Sequence, residues 1–446
     1  MKRFGLATRQ TFASLKVRNF RLFFGGQLVS QVGNWLTLIA QTLLVFELTH
    51  SGVALGLLAA AQFGPVLILG PWAGLVADRS DKRKLLLIVQ VIAMAQSFAL
   101  AALAFSGHPS VAAIYGIAFV GGITIAFDNP ARRAFVVEMV PEAGITNAVS
   151  LNSALMTCAR MVGPALAGLL VTTVGFGWCF ATDGISYLAV IVGLWLIRTN
   201  ELRPSPVAER AKGQVRAGLR YARSVPELWV PLAMMAVIGT LAYNFQVVFP
   251  LFAKYSLGGS ATLFTLLYAA TAFGSLGGAL ASARRTSISV QLVALAAMAF
   301  GAMMAVLTFV PTVAVAIPVC VLVGMASMTF MTASTAIVQI ESTPAMRGRV
   351  LALQAMVFLG STPIGGPIVG WICQVFGPRY GLAVGALAAL GAGVWGMTTV
   401  RAAAARRVAQ GASLGRTGSL DPTEVAEAVA EAEAELVDDL PPVVPA

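Results

Sequence analysis

Long apolar runs recur along the whole chain, and they limit its possible folds more than any other feature. A helix needs about 20 apolar residues to cross a hydrocarbon core of about 30 Å. A β-barrel would instead show short segments of alternating polarity. We therefore expect an all-α membrane protein with twelve transmembrane helices, at about 21–47, 53–76, 84–106, 110–128, 147–173, 179–197, 228–252, 260–282, 287–310, 312–334, 350–373 and 379–400.

The amino-acid composition excludes a soluble globular protein. Hydrophobic residues make up 58% of the chain and charged residues 11%, whereas soluble domains have about 45–50% and about 25%. The two histidines, His50 and His108, lie in separate loops, and the four cysteines show no CxxC spacing. No metal site is therefore expected.

The basic residues predict the orientation in the membrane. If the chain crosses the membrane at every predicted span, all lysines and arginines except Arg160, Lys254 and Arg379 lie on the same side of the membrane. The positive-inside rule makes that side cytoplasmic, together with both termini. The net charge of +11 thus reports topology, and no nucleic-acid partner is expected. The predicted domains are an N-terminal segment 1–20, a six-helix bundle 21–197, a linker 198–227, a second six-helix bundle 228–400, and a disordered tail 401–446.

The stretch "GLVADRSDKRK" (74–84) concentrates charge between the second and third spans. Gly74 would let helix two approach a neighbour closely, and Asp78 would hydrogen-bond backbone amides at the positive end of an adjoining helix. With Arg79 and Arg83 they would form a clasp that holds one bundle against the other. The alternative is that these charges only set topology. A second clasp is predicted from Asp128, Arg132 and Arg133, with Arg347 and Arg349 as its counterpart in the second half.

This stretch resembles the G-x-L-A-D-R-x-G-R-K signature of the major facilitator superfamily, with Asp81 in place of the second glycine. That substitution is typical of one branch of the superfamily, which contains the enterobactin exporter and macrolide- and tetracycline-type efflux carriers. Four other segments resemble the same branch: "GQLVSQVGNWLTLIA", "FDNPARRAFVVEMVP", "GLRYARSVPELW" and "STPAMRGRVLAL". The resemblance implies two six-helix bundles, alternating access and export of amphiphilic small molecules against proton entry.

The fifth span carries "ARMVGPALAG" (159–168), which resembles the glycine- and proline-rich motif of antiporters. Gly163, Pro164 and Gly168 match that motif, and Ala159 and Ala167 replace two of its glycines. The resemblance implies export. The alternative is an ordinary packing kink, because proline within a helix bends it.

Ionisable side chains at membrane depth are the candidates for proton coupling. Arg160 and Asp183 lie in the fifth and sixth spans at similar depth, and an unpaired charge there costs at least about 2.5–3.5 kcal/mol. We expect either an ion pair between them or a water-facing Asp183 that takes up the proton. Arg160 has an alternative role, which is to orient an anionic substrate. Glu47, at the outer end of the first span, is a third candidate, unless it is only an exposed carboxylate at the loop edge.

Substrate contacts are expected from helices one, four, seven and ten, by family resemblance. Aromatic rings and amides at membrane depth suit an amphiphilic, partly aromatic ligand, although each could equally serve packing between helices. The candidates are Gln31, Asn34, Trp35, Gln41, Tyr243, Asn244 and Gln246.

The sequence thus predicts a proton-coupled exporter of drugs or siderophore-like metabolites in a bacterial inner membrane, acting as a monomer on small molecules. The proton gradient is the expected energy source, and no cofactor is expected. An importer or a lipid flippase on the same fold is the alternative, followed by a non-transporting scaffold. An enzyme is disfavoured because no metal-ligand cluster or serine–histidine pair is available at membrane depth, and without a phosphate-binding G-x-x-x-x-G-K-[ST] loop the chain is not expected to hydrolyse ATP.

Overall fold

The computed structural model describes residues 12–203, 214–283, 285 and 288–416, and these residues form helices and turns without a β-strand. Twelve helices in this part are long and apolar enough to cross a membrane, so the predicted all-α class and number of spans are confirmed. They are α1 Arg18–Thr49, α2 Gly52–Arg79, α3 Lys82–Phe105, α4 Val111–Glu138, α5 Ile145–Thr173, α6 Phe176–Trp195, α7 Pro226–Leu241 continued by Phe245–Leu251 and the π-helical turn Phe252–Ser256, α8 Ala261–Ala283, α9 Val290–Phe309, α10 Val313–Glu341, α11 Pro344–Phe376 and α12 Pro378–Arg416.

Two of these helices differ from the prediction in a way that matters for the site. The predicted fourth span stops at 128, before an Asn-Pro pair, but α4 continues to Glu138 with Pro130 inside it. Membrane helices tolerate such a proline when neighbours satisfy the freed backbone groups. The predicted seventh span is continuous, whereas α7 is broken at 242–244.

The segments outside the bundles are described in part. The predicted N-terminal segment is described from residue 12, the linker without 204–213, and the C-terminal segment to residue 416; the rest of these segments lies outside the described residues. Between α6 and α7, the linker contains a helix, Gln214–Ser224.

Local sequence signals explain where several helices begin. Ser51 and Asp81 precede α2 and α3, and their side chains accept hydrogen bonds from the backbone N–H of Ala54 (3.2 Å) and Lys84 (3.1 Å). Such caps satisfy N–H groups that have no partner within the helix. Helices α7, α11 and α12 begin at a proline instead, where a missing N–H costs nothing.

The two halves of the chain repeat one pattern of helix pairing. In the first half α1 packs on α5 and α6, α2 on α4, and α3 on α6. In the second half α7 packs on α11 and α12, α8 on α10, and α9 on α12. The turns α5–α6 and α11–α12 also correspond, since Gly175 and Gly377 have φ of 87° and 105°, values that favour glycine. The fold therefore consists of two equivalent six-helix bundles.

The surface around both bundles is apolar. Ile68, Trp72, Trp195, Phe309 and Leu387 are all well exposed, and Phe309 is 80% exposed. A soluble protein rarely leaves so much apolar surface uncovered. The exposed belt is the surface expected to face lipid.

The bundles meet along α2–α11 and along α5–α8. We call the end that carries the start of α1 and the linker the linker end; there Asn19 and Arg198 exchange two hydrogen bonds, of 3.0 and 3.1 Å. The opposite end, with the α1–α2 and α7–α8 turns, is the far end.

The two bundles are in close contact at the far end. Gly52 and Gly56 of α2 lie against Gly370 and Gly366 of α11; a Cβ on Gly56 would lie 2.7 Å from the carbonyl carbon of Gly366. At the same end the Ser51 hydroxyl donates a hydrogen bond of 2.6 Å to Oε1 of the Gln374 side chain. The two Gly-x-x-x-Gly sequences, 52–56 and 366–370, let the two backbones approach closely.

The bundles are separated at the linker end. A Cβ added to Gly70 or Gly74 of α2 would meet nothing within 4 Å, and the same holds for Gly348 near the start of α11. The gap between the bundles is therefore open at the linker end and closed at the far end.

Candidate functional site

A central cavity of about 330 Å³ lies between the two bundles. Its second-bundle side is an aromatic wall in which the rings of Phe245 and Phe249 lie 4.9 Å apart and those of Tyr243 and Phe358 lie 5.3 Å apart. Trp35 of α1 and Tyr268 of α8 meet across the two bundles, with ring centroids 6.0 Å apart. Because the far end is closed, we place the mouth of this cavity at the linker end.

Arg160 projects into the central cavity from α5. Its guanidinium carbon lies 5.9 Å from the centre of the Trp35 ring, and such a position over an aromatic face is favourable for a cation. Gly163, one turn along α5, lies directly against Trp35; a Cβ there would be 3.0 Å from Cγ of the indole. The glycine thus lets the indole pack against α5.

The break in α7 places Tyr243 and Gln246 in the central cavity. The Tyr243 hydroxyl donates a hydrogen bond of 2.7 Å to the carbonyl of Ser327, whereas Nε2 of Gln246 is buried and donates to no described acceptor. Asn244 does not line the cavity, contrary to the sequence prediction. It is buried, and its amide donates a hydrogen bond of 2.7 Å to the carbonyl of Thr240, at the end of the first segment of α7.

A second, smaller cavity of about 50 Å³ lies inside the first bundle, among α1, α2, α3, α4 and α6. We call it the N-bundle chamber. The two cavities are adjacent, because both are lined by Gln31, Asn34, Leu38, Ile125 and Asp128. Gln41 lines the chamber rather than the central cavity, contrary to the sequence prediction; it lies further towards the far end of α1, and its amide nitrogen points to the carbonyl of Ile114 at 3.3 Å.

Asp183 lines the N-bundle chamber and is fully buried. Its carboxylate accepts hydrogen bonds from the hydroxyls of Thr37 (2.6 Å), Ser97 (2.7 Å) and Ser186 (3.3 Å). Gly33 leaves the room for this cluster, because a Cβ there would overlap the carboxylate. Hydroxyl donors reduce the cost of a buried carboxylate that has no cation beside it.

The predicted ion pair between Arg160 and Asp183 is not formed: no ion pair joins these two side chains, although both are described. The helical rise predicted similar depth, but Arg160 points into the central cavity and Asp183 into the N-bundle chamber. Equal depth therefore did not bring the two side chains together.

Two glutamines leave an oxygen atom unpartnered in the N-bundle chamber. Nε2 of Gln62 donates to Gln41 at 2.9 Å, and Nε2 of Gln90 donates to Asp128 at 2.8 Å. The Oε1 atoms of Gln62 and Gln90 are buried and accept no hydrogen bond from a described residue. These oxygens can accept from water or from a hydrated proton.

Asp128 and Arg132 are not a clasp at the end of α4, as predicted, because α4 continues ten residues beyond Asp128. They form a buried ion pair of 3.0 Å that lines the central cavity. Arg132 also donates to Asn129 at 2.8 Å and to Gln27 at 3.3 Å. Every contact of this pair lies within the first bundle. Arg133, the third residue of the predicted clasp, is exposed.

The predicted clasp at 74–84 does not join the bundles in this structure. A Cβ on Gly74 would meet nothing within 4 Å, and Asp78 and Arg79 are exposed. The capping role predicted for Asp78 belongs to Asp81. Arg83 donates to the carbonyls of Leu194 (2.7 Å) and Trp195 (3.1 Å) at the end of α6, which is a contact within one bundle.

Arg347 and Arg349, the predicted counterpart of the clasp in the second half, likewise do not join the two bundles. Arg347 is exposed and reaches back to the carbonyl of Ser342 at 3.4 Å. Arg349 packs against Gly218 of the linker helix. Neither arginine contacts the first bundle through a described hydrogen bond or ion pair.

The remaining predicted residues lie near the far end or along α5. Glu47 is exposed near the far end of α1. Pro164 is buried inside α5, and Gly168 lies against Thr265 of α8, across the bundle interface. The glycines of the antiporter-like motif thus serve close packing, Gly163 on Trp35 and Gly168 on the other bundle.

Sequence reasoning missed three features. The facing Gly-x-x-x-Gly sequences of α2 and α11 could have been found by searching each span for that spacing. The glutamines of the chamber are scattered over three helices, so only the fold groups them. A buried ion pair of 2.8 Å joins Lys82 at the start of α3 to Glu138 at the end of α4, and the shortened prediction for α4 concealed it.

The comparisons with known proteins agree with this architecture. The model of the transmembrane secretion effector family matches residues 9–432. Staphyloferrin A transporter of Staphylococcus aureus is 30% identical over 179 residues, which are 39% of this chain and 44% of that protein. Macrolide efflux protein A of Streptococcus pyogenes is 26% identical over 42% of this chain and 47% of that protein. The enterobactin exporter of Shigella boydii is 24% identical over 59% and 63%. The chain thus spans about half the length of these curated relatives.

Solved structures show the same fold at low sequence identity. A bacterial homologue of the human lysosomal transporter Spinster, in an inward-facing and unoccupied conformation, has a TM-score of 0.66 at 16% identity and covers 86% of this chain and 97% of its own. A D-xylose–proton symporter has a TM-score of 0.65 at 16% identity, over 86% and 96%. The fold is that of the major facilitator transporters.

This chain belongs to the transmembrane secretion effector family of that superfamily. It is therefore a multi-pass membrane protein of a transporter family.

Proposed function

We propose that the protein exports amphiphilic small molecules across a bacterial cell membrane by alternating access, in exchange for protons. The observation that carries this proposal is the central cavity, lined by aromatic rings and a few polar groups, between two equivalent bundles that are closed at only one end. Binding sites at the interface of repeats are typical of secondary transporters. Relatives named for the export of enterobactin and the efflux of macrolides support the direction.

The orientation follows from the basic residues. The positive-inside rule places the linker end in the cytoplasm, so the cavity of this structure faces inward. An exporter loads its substrate in that state. One chain contains both bundles and the whole cavity, so we propose that a monomer suffices.

Alternating access requires the opposite state to close the linker end. Gly70 and Gly74, where an added Cβ would meet nothing in this structure, would then meet the second bundle, with Asp78 and Arg79 in the clasp predicted from the sequence. The far-end contact between Gly56 and Gly366 would open in exchange. Each of the two states buries a contact between the bundles at one end only. The two states can therefore differ by a small free energy.

We place proton coupling at Asp183. Its carboxylate is buried without a cationic partner among the described residues, and the chamber of about 50 Å³ beside it exceeds the volume of about 10–15 Å³ that a cavity needs to hold a water. The orphaned oxygens of Gln62 and Gln90 would bind such waters. Gln31 and Asn34, which line both cavities, mark the route by which a proton would reach the carboxylate from the central cavity.

Everted membrane vesicles with an acidic interior test the proposal. The probes are three fluorescent amphiphiles with one ring system: dansylglycine, dansylamide and dansylcadaverine. We expect the vesicles to accumulate at least one of them about tenfold above vesicles without the protein. In Asp183→Asn, accumulation driven by the gradient should be lost, while exchange of the probe between equal pools continues, because the cavity is intact.

The matched control is Glu142→Gln, an exposed carboxylate in the turn between α4 and α5, which should behave as the wild type. Accumulation that proceeds only in right-side-out vesicles would establish an importer, and movement of labelled lipid without a probe would establish a flippase. Gradient-driven accumulation by Asp183→Asn at the wild-type rate would remove Asp183 from coupling but leave export in place.

A further inference from the structure

The positive and negative charges of the side chains that line the central cavity do not cancel. Among the described residues that line it, the charged ones are Asp128, Arg132 and Arg160. One oxygen of Asp128 pairs with Arg132 at 3.0 Å, and the other accepts from Gln90 at 2.8 Å. Both oxygens of the carboxylate are thus occupied within the first bundle. Arg160 remains, so the cavity carries one uncompensated positive charge.

The surroundings of Arg160 keep its guanidinium available to a ligand. The side chain is exposed to the cavity, and no described carboxylate lies within 4.0 Å of it. Trp35 supports one face of the guanidinium, and Gly163 and Tyr268 pack on that indole. A cation that rests on a ring still presents its planar N–H groups at the edge, in the fork that matches an oxygen anion.

A second, independent donor points into the same cavity. Nε2 of Gln246 is buried and donates to no described acceptor. The Tyr243 hydroxyl is already committed to Ser327. A buried donor without an acceptor costs about 1–3 kcal/mol, and a ligand with oxygen acceptors would remove that cost.

We propose that the central cavity selects anionic amphiphiles, with an aromatic ring against the wall formed by Phe245 and Phe249 and a carboxylate or similar oxygen anion on Arg160. Cationic amphiphiles are disfavoured, because the single free charge in the cavity repels them. This inference rests on the proposed function only in taking the central cavity as the transport site.

Equilibrium binding tests the selection without any transport step. The full-length protein in nanodiscs of zwitterionic lipid is titrated with dansylglycine (anion), dansylamide (neutral) and dansylcadaverine (cation), and dansyl fluorescence reports binding. We expect the anion to bind about tenfold or more tightly than the neutral probe, as for one charge-assisted pair, and the cation to bind most weakly. Arg160→Gln should remove the preference for the anion and leave the affinity for dansylamide unchanged. Arg160→Lys should keep part of it.

Two further variants keep the test decisive. Arg160→Glu should reverse the order and favour the cation, which a loss of folding cannot imitate. Arg285→Gln, an exposed arginine outside the cavity, should bind all three probes like the wild type. The inference is overturned if dansylglycine binds no more tightly than dansylamide, or if Arg160→Gln weakens all three probes equally. Binding of dansylamide alone would refute the charge selection and still support an amphiphile cavity, whereas binding of none of the probes would overturn both proposals.

Discussion

The two ends of helix α2 use glycine in opposite ways. At the far end, Gly52 and Gly56 lie against the backbone of α11, and a Cβ on Gly56 would come within 2.7 Å of Gly366. At the linker end, a Cβ on Gly74 would meet nothing within 4 Å. One helix thus carries a tight contact at one end and the same kind of small residue, without a neighbour, at the other.

This difference between the two ends of α2 points to a role for Gly74 that the sequence signature alone does not reveal. A residue kept small beside empty space has no packing role in the state seen here. If alternating access operates, Gly74 acquires its neighbour when Gly56 loses its own. The comparison therefore makes opposite predictions for the two ends of one helix.

The largest effect is expected for Gly56→Leu. The clash is with backbone atoms of Gly366 and Pro367, so no side-chain rotation relieves it, and overpacking costs up to about 3 kcal/mol. That corresponds to a shift of about 150-fold towards the state with an open far end. Distances between spin labels on S110C and T312C, in the exposed turns at the far end, should lengthen. The labels require a background without the exposed Cys158.

Gly70→Leu is the matched control, because it places the same side chain on the same helix where nothing lies within 4 Å. Its far-end distances should stay as in the wild type. If the distances in Gly56→Leu also remained unchanged, the glycine contact would not hold the far end closed.

Gly74→Leu should produce the opposite effect. The present state accommodates the side chain without a clash, so we expect its stability to change by less than about 0.5 kcal/mol. The opposite state would lose about 1–2 kcal/mol by overpacking, and transport should fall roughly five- to thirtyfold. Binding of the dansyl probes should persist. Transport at the wild-type rate would show that Gly74 never meets the second bundle.

The smallest effect is expected for Gln374→Ala. The substitution removes the acceptor for the Ser51 hydroxyl (2.6 Å) and for the Val53 N–H (3.1 Å), and both bonds are exposed. A net loss of about 0.5–1 kcal/mol should shift the far-end distances by a few-fold in population, in the same direction as Gly56→Leu. A shift as large as that of Gly56→Leu would mean that polar contacts, rather than glycine packing, hold the far end.

The sequence predicted the fold more completely than the site. Twelve apolar runs and their length predict twelve spans because every backbone polar group in a bilayer must be satisfied within a helix. Helix ends were less certain, since the fourth span was predicted to end at 128 while α4 runs on to Glu138. That one error placed Asp128 at the inner end of the span and Arg132 in a cytoplasmic loop, whereas both line the central cavity.

For the site, the residue types in the sequence indicated which side chains could contact a substrate. The sequence did not show in which direction each side chain points. Of the predicted substrate contacts, Trp35, Tyr243 and Gln246 line the central cavity, whereas Gln41 and Asn244 do not. Tyr243 and Asn244 both lie in the break of α7, where Tyr243 lines the cavity and Asn244 is buried and donates to Thr240, and the sequence does not show these directions. Depth along a helix likewise could not show that Arg160 and Asp183 serve different cavities.

The sequence by itself determined the class of fold and the number of membrane helices, because the bilayer imposes length and polarity on each segment separately, and its basic residues predict which side faces the cytoplasm. Only the tertiary structure decided which end of the bundles is closed, that Asp183 lies in a chamber apart from Arg160, and that Asp128 is neutralised while Arg160 is not. These outcomes depend on how helices distant in sequence rotate against one another, and no single segment carries that information.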